Sequence, residues 1–109
     1  RIEKDYPGTQ AIAFGHLGDG NVHFHVRAPD GIEAEKWYRN DGEPISGSVY
    51  QMVVEAGGSI SAEHGIGRAK REELVRLTPP ARLNMLAAVK RALDPKDIMN
   101  PGKILLTAD

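Results

Sequence analysis

Residues 15–23, Gly-His-Leu-Gly-Asp-Gly-Asn-Val-His, constrain this chain more than any other stretch of it. Two imidazoles, His16 and His23, flank a run of Gly, Asp and Asn, residues that reach positive φ or bond their own backbone in turns. Beyond the run, Val22, Phe24 and Val26 alternate with His23, His25 and Arg27. A period of two is that of a half-buried strand, so the spacing predicts a hairpin of strands 10–16 and 22–27. A two-residue Asp19-Gly20 turn would set 18 opposite 21, 17 opposite 22, and His16 opposite His23. Directly opposed Cβ atoms lie roughly 5 Å apart on one face, close enough for both imidazoles to share one divalent ion. The same register groups His16, His23 and His25 with Ile12 and Phe14. Ala13, Val22, Phe24 and Val26 form the opposite face, which is expected to pack on helices.

A second acid/imidazole pair, Glu63-His64, follows downstream. Neighbours in an extended segment point opposite ways, so one can complete a His/His/Glu site while the other faces a reacting bond. A carboxylate after two imidazoles suits Zn²⁺, or Mn²⁺ or Fe²⁺ if the site is more open. The plainer account has the histidines closing the hairpin by hydrogen bonds to its turn, and Glu63 capping or pairing with Arg68 or Lys70. Gly65-Ile66-Gly67 favours the site, because glycines let backbone approach a ligand closely. His25, one pleat along, either completes the cluster or orients the other two. Asp19 and Asn21 read first as turn formers. The charged run 68–73 is the pattern of a solvated helix face. Its cations stand at a helix start, where the macrodipole disfavours them, which points to Lys70 as serving an anion.

No cysteine occurs, which excludes disulfides and thiolate ligands and leaves His, Asp and Glu for any metal. A formal net charge of -1 gives nucleic acid no electrostatic pull. With 109 residues the chain suffices for one domain at most. No apolar stretch is long enough to span a bilayer, and no signal-peptide run opens the chain. A cytoplasmic protein, or one peripheral at the inner membrane face, is the expectation. The chain opens at Arg1 rather than Met, which reads either as trimming or as the tail of something longer.

Residues 28–44, rich in Pro, Gly, Asp and Asn, read as a loop with one helical turn near 33–38. From Ile45 the spacing becomes helical, with Ile45, Val49, Met52, Val53 and Ala56 on one face and Gly57-Gly58 as the stop. Further helices are expected over about 69–77 and 81–93. The second carries a Leu86, Val89, Leu93 stripe and stops at Asp94-Pro95. Trp37, Tyr38 and Tyr50 read as ordinary core or edge residues. The whole indicates α+β, an antiparallel sheet with helices on one face. Two strands make a poor sheet, so partners are expected from 59–62 and 103–106, or from upstream of the chain.

Three segments together resemble the C-terminal domain of the FAD-linked oxidases, flavoenzymes with a vanillyl-alcohol-oxidase type FAD domain. They are Gly15–His23, Ser59–Gly67 (S-I-S-A-E-H-G-I-G) with Lys70, and Asp94–Leu105 (D-P-K-D-I-M-N-P-G-K-I-L). The group includes dehydrogenases of D-lactate, D-2-hydroxyglutarate and glycolate. The resemblance implies a ferredoxin-like domain, here incomplete, with the FAD-binding domain upstream in an enzyme of roughly 450 residues, too long for one domain. It implies His16, His23 and Glu63 as ligands of zinc or manganese, and His64 as the base that takes the hydroxyl proton of a 2-hydroxy acid. Asn100 would lie close to the flavin, with Lys70, His25 and Asn21 near the substrate or behind the ligands. Flavin would carry the hydride, a task no side chain here can perform. A cytochrome, a quinone or an electron-transfer flavoprotein would accept the electrons, with room for a homo-oligomer. His25 stands where the D-2-hydroxyglutarate branch usually has Asn. Alone, the chain is expected to bind metal weakly and to oxidise nothing. The competing readings are a stand-alone metal-binding or oligomerisation module, and a His/His/Glu metallohydrolase.

Overall fold

Alternation along 22–27 does make a strand. In the computed structural model, which describes residues 1–105, β1 (Gln10–His16) pairs antiparallel with β2 (Asn21–Arg27). The connection differs from the expected Asp19-Gly20 turn. Leu17–Asp19 form a single 3₁₀ turn that Gly20 closes in the left-handed region, φ +64°, its N–H donating to the Leu17 carbonyl at 3.3 Å. Four residues therefore link the strands, and the register slips by two: His16 faces Asn21, Phe14 faces His23, and Ile12 faces His25. Side chains alternate with period two, so an even slip leaves each on its expected face. Gly15 is fixed by crowding. A Cβ there would sit 2.0 Å from the Asn21 carbonyl oxygen, so only glycine lets the strands close at this end.

The hairpin belongs to the first of two units, Arg1–Gly57. Its helix begins earlier than the loop-like composition of 28–44 suggests. α2 (Ala34–Trp37) runs into one wide π turn, Tyr38–Gly42, and on into α3 (Glu43–Glu55). Pro44 supplies no N–H to the ladder, and a widened turn is how a helix absorbs such a gap without stopping. The expected face of α3 turns inward: Ile45 is buried, as is Ile2 of the one-turn α1 (Ile2–Asp5). The Tyr6 hydroxyl lies 3.4 Å from Ser48 Oγ, and Glu3 accepts the Ala11 N–H at 2.8 Å on β1. Trp37, Tyr38, Ile45, Val49 and Tyr50 line a cleft of about 230 Å³ together with Phe24 and Val26. His25 lines the cleft as well, and Val22 stays 62% and Phe24 40% exposed, so the helices cover only part of the apolar face expected to pack on them. Gly57, at φ +78°, donates to the Val54 carbonyl and ends α3 as expected.

The second unit begins at Gly58. It holds α4 (Arg71–Leu77), α5 (Pro80–Leu93) and the irregular segments 58–70 and 94–105. Neither 59–62 nor 103–105 is a strand, so the extra strands expected there are not found among the described residues. Leu106, the end of the last apolar stretch, lies outside them. The α5 stripe is not core either: Val89 is 58% and Leu93 77% exposed. Spacing of 3.6 identifies an apolar face but says nothing about what covers it. No described helix is long and apolar enough to cross a membrane.

Candidate metal centre

The hairpin presents its imidazoles on one face because their positions, 16, 23 and 25, share a parity across the register. His16 and His23 are diagonal rather than directly opposed, yet their ring centroids are 5.7 Å apart. Two imidazoles held at about 2 Å by one tetrahedral ion have centroids roughly 5–6 Å apart, so this pair fits a shared Zn²⁺-like ion. Phe14 organises the face. Its ring stacks on His23 at 5.2 Å and 24°, and on His25 at 5.4 Å and 5°. Asp19 holds its carboxylate 3.8 Å from His16 Nδ1, beyond hydrogen-bond reach. Asn21 is the backbone partner of His16, so it anchors the register at that imidazole, as well as ending the turn.

Glu63 and His64 stand in the second unit, where residues 62–64 bend instead of extending. The expectation that the two side chains point opposite ways therefore fails. Glu63 Oε2 lies 3.8 Å from His64 Nε2. That imidazole is 91% exposed, which leaves it open to an incoming molecule, while Glu63 is the more sheltered of the two at 37%. Lys70 Nζ donates to the Ile60 carbonyl at 2.8 Å, and its N–H to the Ile66 carbonyl at 3.2 Å. Lys70 thereby spans the segment that carries Glu63 and His64.

Asn100 adopts φ +51°, in a turn where Lys103 donates its N–H to the Asn100 carbonyl. Two anchors hold this turn. The Ile104 N–H donates to the Gly67 carbonyl, and Arg71 Nη1 to the Gly102 carbonyl, both at 2.9 Å. A third brace lies just upstream. Asp94 is buried and accepts the N–H groups of Ile98 (3.1 Å) and Met99 (2.9 Å) together with the Lys90 ammonium. Lys90 also donates to the Met99 carbonyl at 2.6 Å. The Lys90 hydrogen bond, with the two backbone N–H groups, holds the Asp94 carboxyl below the usual carboxylate range. In turn the Asp94 hydrogen bond, aided by Asp97, raises Lys90.

Sequence reasoning placed Phe14 on the imidazole face without giving it a task, and it read Asp94 only as a helix stop. An Asp just beyond a helix, with a Lys four residues before it, was the available signal. Arg71 carried no signal beyond its charge.

The hairpin offers two imidazoles to a Lewis-acidic ion, and the second unit, taken by itself, offers a carboxylate and an exposed imidazole able to move a proton. Neither offers a redox-active group of its own. Residues 1–104 match the family model described as FAD linked oxidases, C-terminal domain. The chain is 39% identical over 103 residues to a D-2-hydroxyglutarate dehydrogenase of Stutzerimonas stutzeri, covering 94% of this chain and 22% of that protein. It is 40% identical over 104 residues to a D-lactate dehydrogenase of Archaeoglobus fulgidus, covering 95% and 22%. A D-lactate dehydrogenase of Anaerostipes hadrus is 39% identical over 92 residues, covering 84% and 19%. The chain thus spans about a fifth of the length of these relatives.

Proposed function

Because the chain belongs to the FAD linked oxidases, as their C-terminal domain, we propose that it supplies the metal-binding and proton-accepting half of a D-2-hydroxy acid dehydrogenase. The observation that carries this reading is the His16–His23 pair, whose 5.7 Å spacing suits one ion, on a hairpin from a family of flavin-dependent oxidases. Relatives named for D-2-hydroxyglutarate and D-lactate support the substrate class, to which glycolate is added here.

In this reading His16, His23 and Glu63 hold a zinc or manganese ion. When bound, the ion would supply Lewis acidity at the substrate hydroxyl, and FAD on an upstream domain would supply the hydride-accepting chemistry. The chain's own residues do the rest. His64, exposed and beside a carboxylate, accepts the hydroxyl proton at an imidazole nitrogen, the step that general bases of this type accelerate roughly 10²–10⁴-fold. Phe14 fixes the ring planes of His23 and of its neighbour His25, so one imidazole of the ligand pair is oriented before any ion arrives. Lys70 holds the Glu63-His64 segment through Ile60. Asn100 would be the residue of this chain close to the flavin. A cytochrome, quinone or electron-transfer flavoprotein would serve as the electron acceptor.

Anaerobic mixing of the full-length protein with D-lactate, D-2-hydroxyglutarate and glycolate tests this, with metal content measured on the same sample. At least one acid should bleach the flavin absorbance, and His64→Ala should abolish bleaching without removing the metal. Failure of all three acids on flavin- and metal-loaded protein overturns the reading. So does a His64→Ala variant that bleaches at the wild-type rate.

A further inference from the structure

Of all the side chains outside the proposed ligand set, Arg71 makes the most specific long-range contact in the second unit. It opens α4, yet its guanidinium reaches across 31 residues of sequence to the Gly102 carbonyl, 2.9 Å from Nη1. Its Nε is covered and has no hydrogen-bond partner. A covered, unsatisfied donor is unfavourable, so a side chain held this way is fixed in place by what surrounds it rather than by its own full satisfaction. Gly102 has no side chain, and a Cβ there would meet Arg71 Nη1 at 3.5 Å and Arg68 Nη2 at 3.8 Å. The carbonyl that Arg71 grips belongs to the turn of Asn100. Four residues before Arg71, the Gly67 carbonyl takes the Ile104 N–H, and the N–H of Lys70, next to Arg71 in sequence, binds the Ile66 carbonyl.

We propose that Arg71 is a positioning residue: with the Ile104–Gly67 bond it clamps the Asn100 turn to the segment bearing Glu63 and His64. The clamp makes the proton-accepting imidazole and the turn of Asn100 one rigid body. It rests on the reading that His64 serves as base and that Asn100 stands by the flavin. Arg71 touches no reacting atom. It acts by fixing the distance between two groups that must work on one substrate, where a shift of about 1 Å costs roughly 100-fold in rate. Neither the flavin nor the ion is needed for the clamp to form, so it is open to measurement apart from turnover.

The test uses the full-length protein as wild type, Arg71→Met and Arg71→Lys. Lysine keeps one donor for the Gly102 carbonyl and methionine keeps none. Hydrogen exchange at the Ile104 amide should quicken about tenfold in Arg71→Met and recover in Arg71→Lys, since opening of a local bond sets that rate. In anaerobic flavin reduction by D-lactate, Arg71→Met should lower the saturating rate roughly 10- to 100-fold while the half-saturating concentration changes less than about twofold. Lysine should restore part of the rate, with metal content equal in all three proteins. Unchanged Ile104 exchange in Arg71→Met overturns the clamp. Unchanged flavin reduction, or equal losses in rate and half-saturation without rescue by lysine, overturns the positioning role. Wild-type protein that no D-2-hydroxy acid reduces, yet with protected Ile104 exchange lost in Arg71→Met, overturns the functional reading and upholds the clamp itself.

Discussion

The phenyl ring of Phe14 lies 5.2 Å from the His23 imidazole and only 24° from parallel with it. The two residues are direct partners across the hairpin, so the stack follows from the register rather than from chance proximity. His25, one pleat away, stacks on the same ring. A hydrocarbon side chain thus sets the planes of two potential ligand rings, and it does so while 58% exposed.

Phe14→Ala is therefore expected to weaken metal binding more than it weakens folding. Stacked aromatic pairs contribute about 0.5–1.5 kcal/mol beyond area burial, so losing the platform should cost roughly threefold to tenfold in zinc affinity. Competition titration against a chromogenic chelator reads this directly. An unchanged affinity would remove Phe14 from the site.

His23 and His25 share the platform but not the role assigned to them. His23→Ala should abolish tight zinc binding, whereas His25→Ala should cost about 10- to 100-fold, the range for groups that orient ligands. Equal losses would make His25 a ligand and demand a different coordination set. Metal content after dialysis, with the titration above, separates these outcomes.

Crowding at Gly15 makes a different prediction from the open turn at Gly20. Gly15→Ala drives a Cβ against the Asn21 carbonyl and should destabilise the fold by roughly 1–3 kcal/mol. At Gly20 a Cβ would meet nothing within 4 Å, and the φ of +64° suits asparagine. Gly20→Asn should cost less than about 1 kcal/mol. Urea unfolding of both variants checks the contrast, and a reversed order would refute the strand register.

The Asp94–Lys90 pair gives stability a defined pH range. Asp94 is held below its ordinary value, so its contribution is complete above about pH 4 and is lost as the pH falls through the lowered one. Lys90 is raised, so its contribution is complete below about pH 10.4 and is lost above that. Asp94→Asn should lower the melting temperature at neutral pH and flatten its decline toward pH 2. A parallel decline in variant and wild type would contradict the brace. Thermal melts across about pH 2–7 are sufficient.

How much of this was legible beforehand depends on what a local pattern can encode. Period two found both strands within a residue of their ends, and parity alone grouped His16, His23 and His25 with Phe14. The pairing itself differs by two positions from the one that a two-residue turn predicts. Asp19-Gly20 looks like a two-residue turn, yet Leu17 and Gly18 join the loop as a 3₁₀ turn. The faces survived because the error was even. At 38–44, Asn40, Asp41, Gly42 and Pro44 spell a break, whereas the π turn carries the helix through. Breaker residues report local cost, and Ile45 anchored against the core outweighs it. On α5 the opposite holds: Leu86, Val89 and Leu93 keep helical spacing, but most of the surface of Val89 and Leu93 stays open to solvent. The three motifs of the family resemblance fall on the hairpin turn and on the two irregular segments of the second unit. They could not show that Arg71, outside all three, ties two of them together.

The hairpin also limits how its gene can change. Within 10–16 or 21–27, losing a single codon would turn every later side chain of that strand over. A loss at 21 or 22 would exchange the faces of His23 and His25 with that of Phe24. Substitutions there cost one side chain at a time. A one-residue deletion exchanges both faces at once, so heredity can revise the spelling of this ribbon far more freely than its length.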